Sequence, residues 1–249
     1  MKIVALLPAR LKSTRIKEKL LKKIDNIPLI LHTAYRVKLC TLISRVIICT
    51  DSNKIKKLCE KNNFEVFMTK KKFLNGTERI ASVADKVKAD LIIDVHADEG
   101  ILDPRNLTKL IEFHKKNKNF DIVVPHKKSL DPKDKNTVKL VFSKNKKIIY
   151  FSRAVAPFPF RVKGSFFHHL DIISFKPSVL KKFKNLNMSY LEKIEGIELL
   201  RAIENNYSLG TFEILTTTFS INTPKDLMLA KKLIKKDKYL KKYIEKIKL

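Results

Sequence analysis

Glycine is scarce, at five of 249 residues. The loop that follows the first apolar run holds none. It is therefore no Walker A loop, whose glycine-rich backbone nest cradles phosphates. Cysteine is equally sparse. Cys40, Cys49 and Cys59 are odd in number and carry no CxxC or Cys/His ligand spacing, which argues against a zinc site. They read as small buried hydrophobes in helix or strand positions. No apolar run approaches the roughly 18–20 residues that span a bilayer. The amino terminus reads as a strand and not as a charged segment before a signal core, so no targeting peptide is expected and the location is read as cytoplasmic. Acidic residues number 25 against 53 basic ones, a net charge of +28. That excess would ordinarily point to nucleic acid. Only nine of the 53 are arginine, however, and the lysines spread over many helix faces without a recognition-helix, RRM or KH pattern. No specific nucleic-acid surface is expected; attraction of anionic substrates and strong salt dependence are.

What is present is a chain long enough for one sizeable core, 44% hydrophobic and 31% charged. Ile3–Leu7 is a five-residue apolar run, read as a central parallel strand buried on both faces and stopped by Pro8. The loop beyond it presents Arg10, Lys12, Ser13, Arg15 and Lys19. Ligands of parallel sheets bind beyond the carboxyl ends of strands, and this cluster suits a polyphosphate, against the plainer reading of a solvated surface loop. Downstream, 28–39 has helical spacing, Arg45–Thr50 is a strand, and Ser52 or Asn53 caps a helix to about Asn62. A third short strand covers 64–68. The β-α-β-α-β order predicts a doubly wound, mostly parallel sheet. A capped helix over 78–87, a buried strand over 91–95, a helix over 103–115 and a strand over 121–125 follow. Segments 139–142 and 147–150 read as a hairpin, and 168–175 as a strand. Ser189 and Glu192 form a capping box, with Glu192, Glu195 and Glu198 every third residue near one helix face. Thr223 and Pro224 open the last helical region, read as one amphipathic helix over 227–249 that packs on the sheet.

Pro8-Ala9-Arg10, Ser13-Thr14-Arg15 and Lys19 resemble the nucleotide loop of the 3-deoxy-manno-octulosonate (Kdo) cytidylyltransferase, or CMP-Kdo synthetase, family of sugar nucleotidyltransferases. The resemblance runs along nearly the whole chain. Gly76-Thr77-Glu78-Arg79 matches part of that family's nucleotide site. His96-Ala97-Asp98-Glu99-Gly100 stands where the family has Gln-Gly-Asp-Glu-Pro, and Tyr150-Phe151-Ser152-Arg153 matches Tyr-Phe-Ser-Arg. In 168–175 His169 keeps its place, while Asp171 replaces a Gly and Ile173 a Tyr. Ser189 to Arg201 follows Ser-Pro-Leu-Glu-x-x-Glu-x-Leu-Glu-x-Leu-Arg, and Asn222-Thr223-Pro224 departs from Asp-Thr-Pro.

The resemblance implies a Rossmann-like fold, with a small β-rich dimerisation subdomain at about 126–170 within a single 1–249 domain. It implies transfer of CMP from CTP to a keto-sugar acid with Mg²⁺, in a homodimer, as a step in lipopolysaccharide biosynthesis. It assigns Ala9, Arg10, Ser13, Arg15, Lys19, Gly76, Arg79 and His96 to the nucleotide. His96, Arg153, His169, Asp171, Glu195 and Glu198 fall to the sugar, and Asp98 with Asn222 to the metal. Lys19, Asp98 and Arg10 are the catalytic candidates. An anion at position 171 keeps an amino-substituted acceptor such as 8-amino-Kdo open beside Kdo and sialic-type acids. The loss of the family's Asp at position 222 keeps a non-catalytic nucleotide binder open.

Overall fold

A computed structural model describes residues 1–13, 15–70, 72–129, 131–216 and 220–249. Thr14, in the first motif, lies outside the described residues. The chain runs β1 (Ile3–Ala9), a small hairpin β2 (Lys23–Ile24) and β3 (Ile27–Pro28), α1 (Leu29–Lys38), β4 (Arg45–Thr50), α2 (Asn53–Lys61), β5 (Glu65–Met68) and α3 (Gly76–Ala81). Then come β6 (Leu91–Val95), α4 (Pro104–Lys116), β7 (Ile122–Val123), β8 (His126–Lys128), β9 (Lys139–Phe142), β10 (Ile148–Ser152) and β11 (Phe167–His169). The chain closes with β12 (Ile172–Phe175), α5 (Pro177–Phe183), α6 (Tyr190–Glu195), α7 (Leu199–Glu204), β13 (Leu209–Gly210) and α8 (Pro224–Ile234).

Seven strands form the main sheet in the order β13-β7-β12-β6-β1-β4-β5. All neighbours are parallel except β12, which is antiparallel to both β6 and β7. In β1 the side chains alternate between two cores. Ile3, Ala5, Leu7 and Ala9 join one and Val4 and Leu6 the other, as the period-2 strand geometry requires. The first core takes buried side chains from α1, α2, α4 and α8; the second takes them from α3, α5, α7 and the small sheet. The mostly parallel, helix-flanked fold expected from the sequence is therefore present. After β1 the chain goes to β4 and β5 on one side, then returns to β6 on the other. The strand ends of β1 and β6 thus flank a topological switch point.

Several expected boundaries move. Pro8 does not end β1; it pairs in register with Cys49, and Ala9 with Thr50. The pairing with β6 has already stopped at Leu6 opposite Asp94. Pro8 therefore has a strand neighbour on one side only, where a missing N–H is tolerated. The 168–175 strand is two strands. His169 pairs with His126 in a four-stranded antiparallel sheet of order β10-β9-β11-β8, and Ile172 pairs with Val95 in the main sheet. The small sheet therefore lies between 126 and 169. The acidic helix breaks at Gly196, whose φ of 62° ends α6. The Glu192, Glu195 and Glu198 stripe consequently does not exist as one face. The last helix ends at Ile234 and gives way to short 3₁₀ turns. Asp237 there pairs with the buried Arg36 at 2.9 Å, and Tyr243 stacks on Tyr35 at 5.6 Å. These contacts wrap the tail around α1 in place of a straight helix.

Candidate active site

A cavity of about 360 Å³ opens beyond the carboxyl ends of β1 and β6. Its walls carry Arg10, Lys12, Arg15, Lys19, Arg79 and Arg153 against two carboxylates, Asp98 and Glu198. Six cations facing two anions make it a receptor for something strongly anionic. The β1 loop supplies Arg10, Ser13, Arg15 and Lys19. The β6 end supplies His96 and Asp98, the start of α3 Gly76 and Arg79, and the residues before α7 and α8 Glu198 and Asn222. Eleven of the site residues expected from sequence thus line one cavity. Ala9, His169, Asp171 and Glu195 do not. Ala9 is the buried end of β1.

The β1 loop is held from behind. The Leu11 N–H donates to Asp51 Oδ1 at 3.2 Å, and Arg79 Nη2 donates to Asp51 Oδ2 at 3.2 Å. Arg79 also donates to Thr69 Oγ1 at 2.5 Å and to the Lys70 carbonyl at 3.2 Å. Arg79 is consequently a strut, with one edge on the cavity. Asp51 therefore shapes the site, although no motif in the sequence marks it. Its signal was positional: a carboxylate at the end of β4, the strand next to β1. Gly76 is required by close approach. A Cβ there would stand 3.0 Å from Pro8 Cγ and 3.7 Å from His96 Nε2.

Lys19 Nζ pairs with Asp98 Oδ2 and lies 3.4 Å from Asn222 Oδ1. Two hard oxygen donors from distant parts of the chain therefore converge on one cationic point. Among the described residues no cluster of three or more His, Cys, Asp or Glu gathers to hold a metal alone. Mg²⁺ does not demand one, since it keeps waters and shares its shell with substrate phosphates. The donor set fits that ion.

Arg153 and Glu195 form a reciprocal clamp. Arg153 Nε donates to the Glu195 carbonyl at 2.8 Å and Nη2 to the Gly196 carbonyl at 3.3 Å. The Glu195 carboxylate accepts from Ser152 Oγ and from the Arg153 N–H, both at 2.9 Å. Glu195 thus joins α6 to β10 and is not directed at the cavity. Beneath the clamp, fully buried Lys139 donates to the carbonyls of Asp134, Thr137 and Arg153 at 2.8, 2.8 and 2.6 Å. All three ammonium donors are satisfied, as burial of a lysine demands. Glu198 Oε1 accepts from Thr77 Oγ1 at 3.2 Å. His169 Nδ1 lies 3.4 Å from the adjacent Leu170 carbonyl and 3.9 Å from Asp171 Oδ1, at the link between β11 and β12.

Asp171 sits behind His96, 3.6 Å from its Nδ1, and accepts from Ser220 Oγ at 2.5 Å. Burial opposes its ionisation, but His96, His169 and the Ser220 hydrogen bond outweigh burial and hold the carboxyl below its usual range. Burial likewise opposes protonation of His96. The carboxylates of Asp171, Asp94, Asp98 and Glu198 outweigh it and raise the imidazole to about 10. Asp94, a fully buried residue of β6, is pushed up to about 7 by desolvation.

Residues 4–214 match the family model described as cytidylyltransferase. The chain is 35% identical over 245 residues to the 3-deoxy-manno-octulosonate cytidylyltransferase of Chlorobium limicola, covering 95% of this chain and 98% of the relative. It is 35% identical over 230 residues to the enzyme of the same name from Nitratiruptor sp., covering 89% and 95%. The solved structure of a CMP:2-keto-3-deoxy-manno-octonic acid synthetase complexed with CTP superposes with a TM-score of 0.90 at 26% identity, covering 95% of this chain and 99% of that one. The match spans both the strand-end loops and the small sheet, and with it the chain belongs to the cytidylyltransferase family.

Proposed function

We propose that this enzyme transfers CMP from CTP to Kdo and releases pyrophosphate. The observation that carries the reading is a cavity lined by six cations in which the side-chain oxygens of Asp98 and Asn222 converge on Lys19. The anomeric hydroxyl attacks the α-phosphorus in line. The new O–P bond forms as the bond from the α-phosphorus to the bridging oxygen breaks. The hydroxyl proton passes to solvent, and pyrophosphate departs with the bonding pair. No covalent intermediate with the protein is needed. Catalysis rests on positioning and charge neutralisation.

Arg10, Arg15 and Lys19 hold the triphosphate and Ser13 hydrogen-bonds it. Gly76 and Arg79 shape the nucleotide wall, and Arg153 and Glu198 face the sugar acid. Asp98 and Asn222 would hold Mg²⁺, which supplies countercharge to the phosphates when bound. The reading favours Kdo over an amino-substituted acceptor because the Asp171 carboxylate is already engaged by His96 and Ser220. It places the reaction in the cytoplasm, where CTP is made, and among the described residues no helix is long and apolar enough to cross a membrane. The partner is a second copy of this chain. Phe158, Phe160 and Val162, at 76%, 85% and 76% exposure, lie between the last two strands of the small sheet and offer the apolar surface for it.

The test is pyrophosphate release with Mg²⁺, each of the four NTPs, and Kdo, 8-amino-Kdo or a sialic-type acid. Release with CTP and Kdo is expected. Release with CTP and a different acid replaces the acceptor, and no release with any pair overturns the reading.

A further inference from the structure

The last 26 residues, 224–249, hold ten of the chain's 44 lysines and no arginine. They form α8 and the 3₁₀ turns that wrap α1. Their inward side is apolar, with Ala230, Ile234, Leu240 and Tyr243 buried in the first core. Two of the three carboxylates in this tail are engaged locally. Asp226 accepts from the backbone N–H groups of Asn222 and Thr223, and Asp237 pairs with Arg36. Glu245 alone of the three is exposed. The ammonium groups are placed differently. All ten lysines of the tail are exposed. Among the described residues, the lysines that form salt bridges are Lys19, Lys54, Lys56, Lys176 and Lys184, all outside the tail. Lys238 and Lys242 stand over the Tyr239 ring, which leaves their charge unneutralised. Unpaired like charges crowded on one short segment repel one another, and a polyanionic partner relieves that repulsion.

The outward face of α8 indicates which partner. Met228 and Leu229 are 63% and 49% exposed. Lys225, Met228, Leu229 and Lys232 follow the i, i+3, i+4, i+7 spacing that lines up on one side of a helix. Ile244 and Leu249 are exposed further along the tail. An apolar pair set between lysines suits the boundary between lipid headgroups and acyl chains, where the apolar groups leave water and the ammonium groups stay level with the phosphates. A nucleic acid would leave Met228 and Leu229 in water, and the tail lacks the arginine forks that grip phosphates and base edges.

We propose that this face of α8 and the tail docks on an anionic lipid bilayer, with its lysines on the headgroups and Met228 and Leu229 in the interface. The chain lies on the surface and does not cross it. α8 starts two residues after Asn222, which lines the cavity, so the docking face begins at the cavity wall. The inference does not depend on which reaction the cavity performs.

The test is co-sedimentation of the full chain, without substrates, with vesicles of phosphatidylcholine alone or of phosphatidylcholine and phosphatidylglycerol in equal parts. Binding to the mixed vesicles and none to phosphatidylcholine alone is expected. Each lysine at an anionic surface is worth roughly fivefold, so Lys231→Gln/Lys232→Gln/Lys235→Gln/Lys236→Gln should weaken binding about a hundredfold or more. Met228→Ser/Leu229→Ser keeps the charge and should weaken it about tenfold. Lys86→Gln/Lys88→Gln/Lys182→Gln/Lys193→Gln removes the same charge around the second core, across the main sheet from the tail. It should change binding by no more than about threefold, because screening confines each charge to its own face. Every substituted side chain is exposed, and the wild-type comparison of the two vesicle types needs no variant. No binding to the mixed vesicles, equal binding to both kinds, equal losses in the two quadruple variants, or no loss in Met228→Ser/Leu229→Ser would overturn the proposal. Tighter binding to duplex DNA than to the mixed vesicles would overturn it in favour of a nucleic acid.

Discussion

At the scale of single residues, the proposed chemistry rests on Lys19, Asp98 and Asn222, which meet at one point from three separate segments. Asp98→Ala should leave the fold intact and lower turnover by about a hundredfold or more, the loss seen when one charge-stabilising group is removed. Asn222→Asp should tighten Mg²⁺ binding, because a carboxylate adds the charge that an amide oxygen lacks. An activity titration against Mg²⁺ checks both; an unchanged Mg²⁺ midpoint in Asn222→Asp would remove residue 222 from the metal site. His32 makes a different prediction. It is fully buried between Tyr243 Oη and the Ile24 carbonyl, each at 2.8 Å, and burial lowers its imidazole to about 4. Unfolded histidine binds a proton near pH 6.5, so between about 4 and 6.5 the unfolded state holds more protons. The neutral buried ring therefore contributes its full stability above about 6.5. That contribution is lost as pH falls toward 4 and amounts to about 3 kcal/mol. His32→Phe should be less stable at pH 7, yet lose less on going to pH 4.5 in urea titrations. Equal losses in both proteins would contradict this assignment.

At the scale of elements, Arg201 ties three helices. Its guanidinium donates to Glu192 at 2.6 Å through Nε and Nη2, to Glu78 at 2.7 Å, and to the Leu186 carbonyl at 3.1 Å. Arg201 and Glu192 are 2% and 4% exposed. Arg201→Ala should cost about 3–5 kcal/mol, because it leaves Glu192 buried without a counter-ion. It should also disturb α3, which carries Gly76 into the site; chemical denaturation together with KM for CTP measures both effects. Gly196→Ala should cost about 1–2 kcal/mol, since only glycine adopts its left-handed conformation without strain. The sequence made most elements legible where a local rule operates. The alternating buried run of β1, the Ser52 cap of α2, the capping box of α6 and the Thr223–Pro224 start of α8 are all set within a few residues. It missed what tertiary contacts decide. The split of 168–175 depends on which sheet each half meets, and the end of α8 depends on Arg36 and Tyr35 far upstream. In the site, the cavity-lining cations of the β1 loop, Arg10, Lys12, Arg15 and Lys19, were legible because they lie within ten residues of one another. Asp51 was not, because its role appears only once β4 lies beside β1.

At the scale of the whole molecule, the net charge of +28 surrounds a cavity that is itself cationic. CTP should be drawn toward the site by this field, and the field is screened over about 10 Å at 0.1 M salt. Raising NaCl from 0.05 to 0.5 M should raise KM for CTP severalfold with little change in kcat, on the order expected for steering by several charges. A KM independent of salt would mean that the lysines act too far from the site to matter. The same sheet places the cation-rich loop of β1 and the carboxylates at the end of β6 across one switch point. In the proposed reaction this switch point would bring the triphosphate and its acceptor together.

The most direct measurement of the central claim is ³¹P NMR of the mixture of enzyme, Mg²⁺, CTP and Kdo, followed by mass spectrometry of the product. A new phosphodiester resonance, equimolar pyrophosphate and a mass equal to CMP joined to Kdo with loss of water are the predicted result. CTP that stays intact, or that yields CMP and pyrophosphate with no sugar attached, would contradict it.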